Sequence, residues 1–135
     1  MRRKISVVLC IAFAGSALTG IALTGWVALA ADSSTRWTHV PAREHMRINP
    51  LGSDPEAVET GARLYREHCQ TCHRLDAQGD GHKRPALRSD RVRNASDGDL
   101  EWFLRQGDLR RGMPSWSSLP QSQRWQVVTY LRSIQ

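Results

Sequence analysis

A chain of 135 residues has room for one domain and little more. Its formal charge of +6 includes Arg2, Arg3 and Lys4; beyond Ala30, 16 basic residues stand against 13 acidic ones, a net +3. That balance excludes a polybasic nucleic-acid binder, and no nucleic-acid partner is expected.

The first 30 residues read as an export leader. Met1-Arg2-Arg3-Lys4 is cationic, no charged residue follows until Asp32, and Ala28-Leu29-Ala30 has the small-x-small form that signal peptidase cleaves. The uncharged run is longer than a usual signal core of about 7–15 residues. It also reaches the roughly 20 residues that span a bilayer. Residues 1–30 are therefore a cleaved signal peptide or a retained membrane anchor, and either outcome places the remainder outside the cytoplasm. Cys10 follows Val8-Leu9 rather than a small residue and stands too early to be a lipoprotein cysteine.

Residues 31–52 contain Ser33-Ser34, Pro41 and Pro50 and no sustained apolar period, which predicts an extended arm or linker. Trp37 within it is a candidate for packing or docking. The domain is expected over 53–135. Ser53-x-x-Glu56 with Pro55 is a capping-box pattern, so a helix starts there, with Val58, Ala62 and Tyr65 on its buried face. From Leu75 to Asn94 the chain is rich in Gly, Pro, Asp and Arg. A loop of that length in so small a domain points to something being wrapped. Ser96-x-x-Asp99 opens a second helix with Leu100, Phe103 and Leu104 inward, and Gly107 stops it. Pro120 starts a final helix with Val127, Val128, Leu131 and Ile134 inward. The fold class is all-α. Its apolar core is sparse for about 80 residues, a size at which domains usually need a staple.

Only Cys69 and Cys72 remain after the leader, and they form Cys69-Gln70-Thr71-Cys72-His73. Two thiols three positions apart can add to the two vinyl groups of haem, and the next residue is then placed under the iron as an axial ligand. A thioredoxin-like pair would want a βαβ setting, and none is visible. A zinc site would have to recruit His68 or His82 for lack of a second cysteine pair. One covalent haem c, held through two thioethers with His73 as a ligand, accounts for the motif best. Its two propionates would lower the net charge further.

Residues 53–135 resemble the class I, mitochondrial-type cytochromes c. In that family a glycine eight residues before the first cysteine and an aromatic four before it pack on the C-terminal helix; Gly61 and Tyr65 occupy those places, with Val127 and Tyr130 as the implied counterparts. A family proline twelve residues after the histidine accepts the imidazole Nδ1–H, and Pro85 stands there, followed by the apolar Leu87. Such a bond orients a ligating histidine. Gly112-Met113-Pro114-Ser115-Trp116 resembles the Met-Pro loop of bacterial members and makes Met113 the expected sixth ligand. His82, in a polar Gly-rich turn, and Met46, upstream in the arm, are the other candidates. The resemblance implies a cytochrome c fold, three to four short helices wrapped around one haem, after the leader and the arm.

His and Met ligation would close both faces of the iron and favour the ferrous state, which suits one-electron carriage rather than catalysis. The expected role is an electron carrier in the periplasm, soluble or anchored to the outer face of the inner membrane. Its partners would be redox proteins: a dehydrogenase or quinol-oxidising donor and a terminal oxidase or other acceptor. The alternatives are a haem subunit docked within a dehydrogenase or oxidase complex, and an open-haem enzyme or gas sensor. Trp102, Trp116 and Trp125 are expected to pack near the haem. Arg84, Arg88, Arg91, Arg93, Arg110 and Arg111 are either solvated loop charges or a patch that steers an acidic partner. His39, His45 and His68 are expected at the surface.

Overall fold

The computed structural model describes residues 39–135. The leader of residues 1–30 and Trp37 lie outside the described residues. Three helices of ten or more residues frame the domain: α2 (Pro55–His68), α5 (Asp97–Gln106) and α6 (Gln121–Ser133). Three short helices join them: α1 (Ala42–His45), α3 (Gln70–His73) and α4 (Asp90–Asn94). Among the described residues there is no strand, and no helix is long and apolar enough to cross a membrane. The arrangement is the all-α one expected.

Helix α2 begins one residue later than its capping-box pattern suggests. Asp54, not Ser53, is the N-cap, and its Oδ1 accepts the Glu56 N–H at 2.9 Å, with Pro55 in the first turn. A carboxylate there satisfies an orphan donor and also complements the positive end of the helix. The buried face is likewise rotated. Ala57, Gly61, Leu64 and Tyr65 are buried, while Val58 and Ala62 are half-buried. The reason is Gly61. A Cβ there would run into the carbonyl of Gln126 and the Cβ of Tyr130, so the missing side chain is where α6 crosses α2. Tyr65 meets Tyr130 with ring centroids 5.2 Å apart. Tyr130 is thus the partner the resemblance implied. Val127 instead faces the core, buried with Val128 and Leu131.

Helix α5 carries the expected capping box. The Asp99 N–H donates to Ser96 Oγ at 3.1 Å and the Ser96 N–H to the Asp99 carboxylate at 2.9 Å. Leu100 and Leu104 join Val92, Trp125, Val127, Val128 and Leu131 in one core, whereas Phe103 is half-buried. Helix α4 occupies the end of what reads as a loop. It is too short to display a period, and only Val92 anchors it in the core. Its C-terminal carbonyls are collected by Arg132 of α6, which donates to Val92 O at 2.9 Å and to the Arg93 and Ala95 carbonyls, and pairs with Asp97 at 2.7 Å.

The arm expected over 31–52 is, where described, a packed part of the domain. Helix α1 lies against α5, and Gly98 admits it because a Cβ there would strike the Glu44 carbonyl. The Glu101 carboxylate is fully buried and accepts from Arg124 Nε at 2.8 Å and Arg47 at 3.0 Å. Arg47 also donates to Glu44 at 3.0 Å and lies over the Trp125 ring at 5.0 Å. Further along, buried Asn49 donates to Thr129 Oγ1 at 2.9 Å and to Trp125 O at 3.3 Å, and accepts the Leu51 N–H. The compact unit therefore extends upstream of Ser53.

Candidate haem-binding site

Cys69 ends α2 and begins α3, so the chain continues through the cysteine pair with one added turn. Its N–H donates to Tyr65 O at 2.8 Å, and its carbonyl accepts from Cys72 N–H at 3.1 Å and His73 N–H at 2.9 Å. Cys69 and Cys72 are not joined to each other in a disulfide. Arg74 then takes a positive φ of 64°, which turns the chain sharply away, and its carbonyl is taken up by the Tyr65 hydroxyl at 2.7 Å. Burial, reinforced by neighbouring Cys72, pushes the Cys69 thiol up to about 12. A thioredoxin-like pair needs the opposite, a thiol depressed toward neutrality. Nor, among the described residues, are three or more His, Cys, Asp or Glu side chains gathered as a metal cluster.

His73 is 9% exposed, and its Nδ1 lies 3.1 Å from Pro85 O. A carbonyl only accepts, so Nδ1 carries the proton and Nε2 is left with its lone pair. Burial is the main influence on the ring and lowers its proton affinity despite the Pro85 carbonyl. A neutral imidazole with a free Nε2 is what an iron ligand must be.

The loop that brings Pro85 back is closed by short-range bonds. Gly79 N–H donates to His73 O at 3.1 Å and Asp80 N–H to Arg84 O at 2.9 Å. The Asp80 carboxylate receives the Arg84 and His82 N–H groups, both at 2.9 Å; these hold its carboxyl down at about 2, the Arg84 bond first. Gly79, at φ 64°, lets the Arg84–Pro85 backbone lie directly against it, where a Cβ would collide with both. Fully buried Ala77, at φ 60°, accepts the Leu87 N–H at 2.8 Å and returns Leu87 to the core. This self-contained lock has no periodic sequence signal. Its only linear traces are Gly79 and the Asp80-x-His82-x-Arg84 spacing.

Met113 is held by its backbone on both sides. Its N–H donates to Asp108 O at 2.9 Å and its carbonyl accepts the Asp108 N–H at 2.8 Å, forming an isolated antiparallel bridge. A 3-10 turn over Leu109–Arg111 and left-handed Gly112 close the loop between them. Downstream, Ser115 Oγ donates to Arg105 O at 2.6 Å and Trp116 N–H to Leu104 O at 3.0 Å. The Met113 side chain packs, half-buried, on the same core as Cys69, Leu87 and Trp116. His82 lies on the exposed turn and Met46 is 71% exposed. Of the three candidates, Met113 alone is brought to that core.

The other predicted residues divide. The Trp116 ring packs tilted against His68, with ring centroids 4.9 Å apart, so His68 is not a free surface residue. Trp125 is buried beneath Arg47, and Trp102 is half-buried. His45 pairs with Asp99 at 2.9 Å. Arg84, Arg93 and Arg111 each face a carboxylate, at 3.3, 2.6 and 4.0 Å, which reduces the net charge of the arginine patch.

Paired thiols on one helical turn, a neutral buried imidazole beside them and a thioether side chain on the shared core fit haem c. An all-helical fold with that donor set defines a c-type cytochrome. The chain belongs to the family described as cytochrome c oxidase, cbb3-type, subunit III, whose profile matches residues 56–131. A relative from Pseudomonas aeruginosa, "Cytochrome c550", is 34% identical over 92 residues, covering 63% of this chain. The match takes in 61% of that relative's length. No solved structure matches the chain. Family membership implies a covalently bound haem c.

Proposed function

We propose that this chain carries single electrons through one haem c, attached by thioethers to Cys69 and Cys72 and ligated by His73 and Met113. It works in the periplasm, free or anchored to the outer face of the inner membrane. There it passes electrons from a dehydrogenase or quinol-oxidising donor to a terminal oxidase or other acceptor. The observation that carries this reading is the His73 Nδ1–H bond to Pro85, which leaves Nε2 of a neutral, buried imidazole beside the paired thiols.

Bound haem supplies the one-electron couple. The chain's own residues supply the hold. Pro85 fixes the tautomer and orientation of His73, and the Asp80 carboxylate and Gly79 fix Pro85. Asp108 fixes the backbone of Met113 from both sides. With both ligand-bearing segments pinned, little has to move between oxidation states, and no face is left open for a substrate. The protein is accordingly a carrier rather than an enzyme. The holoprotein is expected to give low-spin c-type spectra in both oxidation states, unaltered by carbon monoxide. A high-spin spectrum that shifts with carbon monoxide would overturn the reading in favour of an open-haem enzyme or sensor.

The family's description favours a second reading, a haem subunit docked within an oxidase. Gentle solubilisation of native membranes followed by size exclusion separates the two. A carrier runs alone; co-migration with an oxidase supports the subunit.

A further inference from the structure

The contact between His68 and Trp116 joins the two chain segments that bear the proposed ligands. His68 is the last residue of α2, immediately before Cys69, and Trp116 is three residues beyond Met113. Their ring centroids are 4.9 Å apart at an interplanar angle of 48°, within the range at which aromatic pairs attract beyond their buried area. Both residues are half-buried, so the pair forms one edge of the packed region rather than its centre. The backbone of Trp116 is tied to Leu104 O at 3.0 Å, and the neighbouring Ser115 hydroxyl to Arg105 O at 2.6 Å. The Met113 loop is therefore anchored to the end of α5 by main-chain and hydroxyl bonds. The tilted ring pair is a side-chain contact between it and the cysteine-bearing helix. His68 Nε2 also lies 3.6 Å from the Glu67 carboxylate.

We propose that His68 and Trp116 form an aromatic latch that holds the Met113 loop closed, making both positioning residues for the sixth ligand. The inference rests on Met113 being that ligand. A loop closed by its own bridge still has an open minor state in which Met113 swings away, and an external ligand binds only that state. Its apparent affinity therefore scales with the open fraction. Removing the latch raises the open fraction by the pair's own contribution, about threefold to tenfold for a ring pair of this geometry.

The test is imidazole titration of the ferric holoprotein, read by loss of the far-red methionine-to-iron charge-transfer band, in the wild-type protein and five variants. His68→Ala and Trp116→Ala should each bind imidazole about threefold to tenfold more tightly, and the double variant no more tightly than either alone. His68→Phe, which keeps a ring on Trp116, should restore wild-type affinity. Contacting residues couple in general stability as well, so Asn49→Ala serves as a further control. Its bonds lie at Trp125 and Thr129, and it should lower stability yet bind imidazole as the wild type does; an equal gain in affinity there overturns the latch. If the band is present and His68→Ala binds imidazole as the wild type does, the latch is overturned while the ligand assignment stands. The same holds if the two alanine effects simply add. A wild-type protein without the band overturns the Met113 assignment and the latch with it.

Discussion

Helix α6 is held along two seams of opposite character. Toward α2 the seam is dry and matched in shape: Gly61 lies under the Gln126 carbonyl and Tyr65 against Tyr130. Toward residues 42–52 and the Glu101 side of α5 it is polar. Glu101 sits fully buried between Arg124 and Arg47, and Asn49 bonds to Thr129 and Trp125. The first seam sets the helix crossing from which the cysteine pair continues. The second fastens residues 42–52 to α5 and α6. A close backbone crossing tolerates no added atom, whereas a charge network tolerates replacement as a set but not piecemeal.

That contrast can be broken from either side. Gly61→Val should do most damage, because the new side chain meets backbone atoms that cannot step aside. A loss of about 3 kcal/mol or more is expected in denaturant unfolding, with poor recovery of holoprotein. Arg124→Met leaves the Glu101 carboxylate buried with Arg47 alone and should cost about 3 kcal/mol. Adding Glu101→Leu to that variant should recover a large part of the loss. If the double variant is no better than the single one, the seam is not the coupled network described. Asn49→Ala should cost about 1–2 kcal/mol by leaving buried partners unsatisfied, and should raise proteolysis within residues 40–52 before any effect on the spectrum.

The smallest effect is on pH. The Asp80 carboxyl is held down at about 2 by the Arg84 and His82 N–H groups, and Glu44 is lowered by its bond from Arg47 against the opposing effect of burial. Both are depressed in the folded state. Their stabilisation is therefore complete above the ordinary carboxylate range and is lost as pH falls through the lowered values. Asp80→Asn should flatten the acid limb of the stability curve below about pH 4 and leave the neutral plateau's shape unchanged. Thermal unfolding followed from pH 2 to 7 checks this.

The two seams also differ in how far they can be read from the chain alone. Gly61, Tyr65, the cysteine pair, Pro85 and the Ser96 capping box are local patterns, each spanning a dozen residues or fewer. For the cysteine pair and the capping box the spacing carries the chemistry directly, whereas Gly61, Tyr65 and Pro85 are legible through the resemblance to class I cytochromes c. The docking of residues 42–52 has no such signature, because Asn49 meets partners 76 and 80 positions away. Glu101 reads as an ordinary polar position on α5 until Arg124 and Arg47 close over it. Helix α4 is a single turn secured by Arg132, far along the chain. The shift of the α2 cap from Ser53 to Asp54 shows the usual limit at helix ends, where adjacent residues of similar chemistry compete for one place.

The central claim is that Cys69, Cys72, His73 and Met113 hold one closed haem. It is tested most directly by the far-red charge-transfer band of the ferric holoprotein, compared between the wild-type protein and Met113→Ala. The band is expected in the wild type and is lost in Met113→Ala, with haem still covalently attached on a denaturing gel. A wild-type protein lacking the band, or a band that survives the substitution, would contradict the claim.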